Sequence, residues 1–241
     1  MRTLVIGDIH SSLEALQQLL VKAKISTEDT LIFLGDYVDG WSEAVETVSF
    51  LIELRKSHRC IFLKGNHDEL CYEWLTKREN NPTWLAHGGT ATRSSYEKID
   101  APTLNTHLSF YESLQHYHLD AQNRLFLHAG FTNLKGVDFE YFTKTFYWDR
   151  TLWELALSLN PDMKEDHAFY PKRLRCYKEI FIGHTPLTKI GKTTPFNAAN
   201  VWNIDTGAAF KGPLTIMDVD TKEFWQSEPV HTLYANEKGR N

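Results

Sequence analysis

The side chains able to do chemistry in this sequence fall in five short clusters: Gly7-Asp8-Ile9-His10, Gly35-Asp36-Tyr37-Val38-Asp39, Gly65-Asn66-His67-Asp68, His128-Ala129-Gly130 and Gly183-His184-Thr185. Carboxylate and amide oxygens together with imidazoles are the donors that hard and borderline divalent cations take. Two such ions about 3.5–4 Å apart need one carboxylate shared between them, and Asp36 is the natural bridge. Asp8 and His10, one residue apart, can flank a single ion across a tight turn. His67, beside Asn66, is placed for proton transfer. Taken alone each cluster has a plain structural reading, since an Asp followed by Ser at a strand end often caps a helix. Their order and setting make them one site.

Every cluster follows an apolar run: Leu4-Val5-Ile6, Leu31-Ile32-Phe33-Leu34, Cys60-Ile61-Phe62-Leu63, Leu125-Phe126-Leu127 and Ile180-Phe181-Ile182. These are short and β-branched or aromatic enough for buried strands. After the first cluster, Ser11 and Glu14 have capping-box spacing, and Leu13, Leu16, Leu20 and Ala23 recur at helical intervals. Val45, Val48, Leu51 and Ile52 suit a second helix, and Leu70, Cys71, Trp74 and Leu75 a third. From Asp8 to Asp36 and from Asp36 to Asn66 the spacing is that of one strand-helix unit. Repeated β-α-β units predict a parallel sheet with right-handed crossovers and a ligand site outside the strands' carboxyl ends.

From Trp84 to His118 the pattern is mixed helix and loop and reads as structural, with a break at Gly88-Gly89 and a helix at about Leu104 to Leu114. Strands return at Ile180-Phe181-Ile182, Val201-Trp202-Asn203-Ile204 and Leu214-Thr215-Ile216-Met217, which predicts a second sheet. Residues 138–178 read as a helical, aromatic insertion at the lip of a cleft, residues 1–234 as a single domain, and residues 235–241 as a frayed polar tail.

The 241 residues are 42% hydrophobic with a net charge of −5, so a sizeable core is available and the basic footprint of a nucleic-acid binder is missing. Three widely spaced cysteines suit reduced thiols better than a disulfide framework. With no signal-peptide pattern and no apolar run of membrane-spanning length, the expected location is the cytoplasm, with no membrane partner. A monomer is the simplest expectation for the oligomeric state.

From Thr3 to Asp218 the chain resembles the phosphoprotein phosphatase family of calcineurin-like dinuclear metallophosphoesterases, above all its small bacterial and bacteriophage lambda-type members. Beyond the clusters, the likeness includes Trp84-Leu85-Ala86-His87-Gly88-Gly89, Trp148-Asp149-Arg150, Gly183-His184-Thr185-Pro186 and Ile204-Asp205-Thr206-Gly207-Ala208. The resemblance implies an α/β fold with a central β-sandwich of two mixed sheets flanked by helices. It implies that Asp8, His10 and Asp36 hold one metal and that Asp36, Asn66, His128 and His184 hold the other. Manganese is the first expectation, with iron or zinc also suited to the ligands. A hydroxide bridging the metals would attack phosphorus in line, and His67, oriented by Asp39, would protonate the leaving alcohol. Arg150 matches a phosphate-binding arginine, and Asn66 would share that contact.

One departure stands out. The family carries Asp-Arg-Gly where this chain has Asp39-Gly40-Trp41, so a second clamp arginine is missing. Lys64, Arg93 and the run Lys172-Arg173-Leu174-Arg175 are candidates to replace it, Trp41 could stack on an aromatic leaving group, and Phe210 could overhang the site. His87 and the remaining histidines read as surface or satisfied core residues. The expected activity is a metal-dependent phosphomonoesterase acting on phosphorylated Ser, Thr or Tyr of a protein. The alternatives are a nucleotide or dinucleoside polyphosphate hydrolase and a non-catalytic interaction module. As the family pattern runs, retained Asp39 favours the protein phosphatase, while the missing arginine favours the hydrolase.

Overall fold

The computed structural model describes residues 1–240. In chain order, β1 (Thr3–Ile6), α1 (Leu13–Lys22), β2 (Thr30–Phe33), α2 (Ala44–Leu54), β3 (Arg59–Phe62) and α3 (Asn66–Lys77) form the expected strand-helix repeats. A short α4 (Pro82–Trp84), a kinked turn through His87 and Gly88, α5 (Thr90–Tyr96) and α6 (Ala101–Glu112) follow. Asp100 accepts the Thr103 N–H and Pro102 sits in the first turn, so α6 begins earlier than hydrophobic spacing predicts. The second half contains β4 (Tyr117–Leu119), β5 (Arg124–Leu127), α7 (Thr145–Trp148), α8 (Thr151–Ser158), β6 (Glu179–Ile182), β7 (Phe196–Ala198), β8 (Val201–Asn203), β9 (Thr215–Asp218), β10 (Phe224–Gln226) and α9 (Val230–Leu233).

Two mixed five-stranded sheets result, ordered β10-β9-β1-β2-β3 and β4-β5-β6-β8-β7. Strands β1, β2 and β3 are parallel, as are β5, β6 and β8. The sheets face each other across Val5, Ile32, Leu34, Leu63, Phe126, Phe181, Ile204 and Met217, with Phe126 and Phe181 stacked at 4.9 Å. On the other face of the first sheet, Leu4, Ile6 and Phe33 pack with Leu16, Leu19, Val48, Leu51 and Phe110. Leu125, Leu127, Ile180 and Ile182 pack with Phe146, Leu152, Trp153 and Leu174 outside the second. Helices therefore flank a β-sandwich whose parallel strands are covered on both faces, which is why they read as unbroken apolar runs.

Three expectations need correction. Thr215–Asp218, expected in the second sheet, instead lies antiparallel to β1, pairing Val5 with Met217. Hydrophobic pattern marks a strand but does not say which open edge it joins. Ser11 does not cap α1: it sits at φ 65 with an unpartnered hydroxyl, because Ile9 and His10 both donate their N–H to the Asp36 carbonyl and Ser11 donates to Tyr37. Finally, the segment after α9 is tied down. Ser42 donates from N and Oγ to the Glu237 carboxylate at 2.9 and 2.7 Å, and the Arg240 N–H reaches the Ala209 carbonyl at 2.9 Å. A polar composition hid contacts made through the backbone and a single carboxylate.

Candidate active site

The five clusters converge where strands end, and the backbone there is bent sharply. His10, Ser11, Asp36, Asp39 and His184 all have positive φ, between 52° and 71°. Non-glycine residues in that region cost about 1–3 kcal/mol each and tend to collect where a site holds them. Two glycines make the packing possible. A Cβ on Gly65 would lie 2.1 Å from Asp36 Oδ1, and one on Gly183 would lie 1.9 Å from Asp8 Oδ1. Asp68, buried at the start of α3, braces the two loops by accepting the N–H groups of Asp36, Tyr37 and Gly65 at 2.8–2.9 Å.

Backbone carbonyls fix the tautomers of two histidines. His10 Nδ1 lies 2.8 Å from the Asp39 carbonyl and His128 Nδ1 lies 2.9 Å from the Leu34 carbonyl. A carbonyl only accepts, so each Nδ1 carries a proton and Nε2 is the ring nitrogen that can be offered to a cation, as in metal-ligating imidazoles. Both Nε2 atoms face Asp36, whose Oδ2 is 3.6 Å from His10 Nε2 and 3.4 Å from His128 Nε2. Asp36 thus stands between the two halves of the site. On one side Asp8, His10 and Asp36 offer ligand atoms within 4.8 Å of one another. On the other, Asn66 Oδ1 lies 3.2 Å from His128 Nε2 and 2.9 Å from His184 Nδ1.

The electrostatics fit a site built around cations. Burial and the neighbouring Asp205 push the Asp8 carboxyl well above the ordinary range. Burial would also raise Asp36, but His128, His67 and His10 together hold it well below. Burial pushes His10 and His184 well down, whereas Asp36 and Asp8 outweigh burial at His128 and raise it to about 9. Asp8 Oδ1 and His184 Nε2 are buried without a hydrogen-bond partner. Buried carboxylates and unpartnered lone pairs of this kind cost several kcal/mol unless a cation compensates them, so the residues suit the divalent metals expected from the sequence.

Beside these candidate ligands, His67 Nδ1 and Trp84 Nε1 both meet the same oxygen of Asp39, each at 2.6 Å. Asp39 is fully buried, and its carboxylate accepts both N–H groups, leaving His67 Nε2 on the cleft side. Trp84, which the sequence places in a structural stretch, is thus a partner of Asp39. The signal available was its place in the motif Trp84 to Gly89.

The cleft over these groups has a volume of about 250 Å³, and Asp36, Asn66, His67, Trp148, Arg150 and Arg240 line it. Arg150 is exposed and, among the described residues, makes no ion pair. Four of the other expected cations are engaged elsewhere: Lys64 with Glu69 at 2.9 Å, Arg93 with Glu97 at 3.8 Å, and Arg173 and Arg175 with the carbonyls of Phe131 and His167. Trp41 cannot stack on a substrate, because it is fully buried, stacks on Tyr234 at 5.2 Å and donates Nε1–H to the Ala208 carbonyl at 2.8 Å. His87 and Phe210 do reach the cleft wall.

Strand-end carboxylates and imidazoles under a basic cleft define a metal-dependent phosphoesterase. The chain belongs to the calcineurin-like phosphoesterase family, whose pattern matches residues 1–210. It is 28% identical to the asymmetrical bis(5'-nucleosyl)-tetraphosphatase PrpE of Oceanobacillus iheyensis, over 91% of this chain and 89% of that one. It is 26% identical to the enzyme of the same name from Anoxybacillus flavithermus, over 98% and 97%. Among solved structures, one provisionally described as a diadenosine tetraphosphatase superposes with a TM-score of 0.63 at 19% identity, covering 93% and 92% of the chains. A protein serine/threonine phosphatase from Saccharomyces cerevisiae gives the same TM-score at 16% identity, over 95% and 80%. At those identities the likeness to solved structures establishes the fold.

Proposed function

We propose that the protein hydrolyses dinucleoside polyphosphates asymmetrically, a narrower and different substrate class from the phosphoprotein expected from sequence. The observation that carries this reading is the similarity to PrpE enzymes over nearly the whole length of both chains. The cleft is compatible with it: Trp148 is 44% exposed at the rim, offering a face on which a base can stack, and two guanidinium groups lie close to where a phosphate chain would run.

In this reading Asp8, His10 and Asp36 would hold one divalent ion, and Asp36, Asn66, His128 and His184 would hold the second, with manganese the first choice. Ions bound there would lower the pKa of water and neutralise phosphate oxygens. Arg150 and the Asn66 amide hold the phosphate undergoing attack. His67, kept in one tautomer by Asp39, delivers a proton from Nε2 to the departing oxygen when that oxygen needs one.

The His67–Asp39 pair favours a second reading, a phosphomonoesterase acting on proteins. An alkoxide leaving group demands a proton, whereas a departing nucleotide, with a phosphate pKa near 6, leaves as an anion at neutral pH. Comparing kcat/KM of the metal-loaded enzyme on diadenosine tetraphosphate and on phosphoserine, phosphothreonine and phosphotyrosine peptides separates the two. Faster turnover of the dinucleotide is expected, and faster turnover of the peptides would replace the proposal by the second reading.

A further inference from the structure

The missing clamp arginine leaves a position that the chain fills from elsewhere. Gly40 stands at φ 130 and Gly88 at φ 106, and the nearest atoms to a Cβ at either site include Arg240 Cγ, at 3.6 and 3.2 Å. The aliphatic stem of Arg240 therefore runs in the channel opened by two glycines, one of them the residue that stands in place of the family's arginine. Its guanidinium ends in the cleft with Asn66, His67 and Arg150, with Nη1 3.5 Å from His10 Nε2 and the ring of Phe210 at 5.5 Å. Among the described residues no carboxylate pairs with it, and its Nε is buried with no hydrogen-bond partner. A buried Nε–H without an acceptor is costly, and an anion in the cleft would supply one.

The second half of the departure explains how Arg240 is held. Trp41 follows Gly40 and forms the seat of the segment: Gly239, at φ 57, packs so closely that a Cβ would lie 2.7 Å from the Trp41 ring. Tyr234 stacks on the same indole at 5.2 Å, Ser42 binds Glu237, and the Arg240 N–H is fixed to Ala209. Gly40 makes room and Trp41 makes the dock, so the two substitutions act as one device.

We infer that Arg240, carried by the 235–240 segment, is the second phosphate-binding guanidinium of this enzyme. It grips substrate phosphate oxygens on the His10 side while Arg150 grips them on the His184 side. The inference rests on the phosphoester reading of the cleft but does not depend on which phosphoester is cleaved.

The test uses the full chain loaded with manganese, with inorganic phosphate as the binding probe measured by calorimetry. Arg240→Ala is expected to weaken phosphate binding about 10- to 100-fold, the loss of one charge-assisted contact, and to raise KM for diadenosine tetraphosphate alongside. Metal content and thermal midpoint should stay at wild-type values, and Arg240→Lys should recover part of the affinity. Trp41→Phe, which keeps Arg240 but loosens its seat, should weaken phosphate binding in the same direction. Unchanged phosphate affinity in metal-replete Arg240→Ala would overturn the inference, as would tighter binding, which would mark the segment as an obstruction. Slow hydrolysis of diadenosine tetraphosphate by the wild type, with the phosphate result as expected, would overturn the substrate reading alone.

Discussion

Substituting His67 by Asn should separate the two leaving-group classes that this cleft can serve. His67 Nδ1 is 2.6 Å from the fully buried Asp39, and the pair is completed by Trp84 at the same distance. A general acid so placed contributes about 10²–10⁴-fold when the leaving group needs a proton. Tyrosine, with a pKa near 10, leaves phosphotyrosine as such a group; a nucleotide whose terminal phosphate has a pKa near 6 does not. His67→Asn should therefore lower kcat on a phosphotyrosine peptide by that factor and cost diadenosine tetraphosphate hydrolysis less than about tenfold. Asp39→Asn keeps the imidazole but loses the charge-assisted bond that orients it. At about 1.5–3 kcal/mol for such a bond, it should cost about 10- to 100-fold on the peptide. Single-turnover rates on both substrates, with metal content checked by atomic spectroscopy, measure the effect. Equal losses on the two substrates in metal-replete enzyme, or none on either, would refute the assignment of His67 as proton donor.

Asp36→Ala removes the carboxylate that faces both His10 and His128, so purified protein should retain less than one ion per chain; two retained ions would show that Asp36 bridges nothing. Gly183→Ala forces a Cβ to within 1.9 Å of Asp8 Oδ1, and should cost about 1–3 kcal/mol of stability while weakening metal uptake; a wild-type melting curve and titration would contradict the packing argument. His107, held between Ser49 and Tyr96, is pushed by burial down to about 4. The unfolded chain protonates near 6.5, so this residue's contribution is full above that pH and is lost progressively between 6.5 and 4, by about 3 kcal/mol at most. Urea unfolding of metal-free protein across that window should show a shallower pH slope in His107→Gln, and identical slopes would exclude the effect.

Much of the site was legible because its pieces are local. Glycine, carboxylate and imidazole at the end of an apolar run form a strand-end motif wherever the strand goes, and parallel topology then forces the ends together. Trp84 was not legible as a partner of Asp39, since an indole in a helical stretch carries no mark of the carboxylate it meets 45 residues away. Lys64 and Arg93 looked available because a sequence does not show that Glu69 and Glu97 already hold them.

By itself the sequence determined the kind of chemistry, the candidate donors and the repeated strand-helix plan, all of which follow from residue type and short-range spacing. Tertiary structure alone decided that β9 returns to the edge of β1, that Trp41 is a buried seat rather than a stacking surface, and that Arg240 fills the space above Gly40. Each of these is a contact between segments far apart in the chain, chosen by which edges and cavities remain open once the local elements have packed.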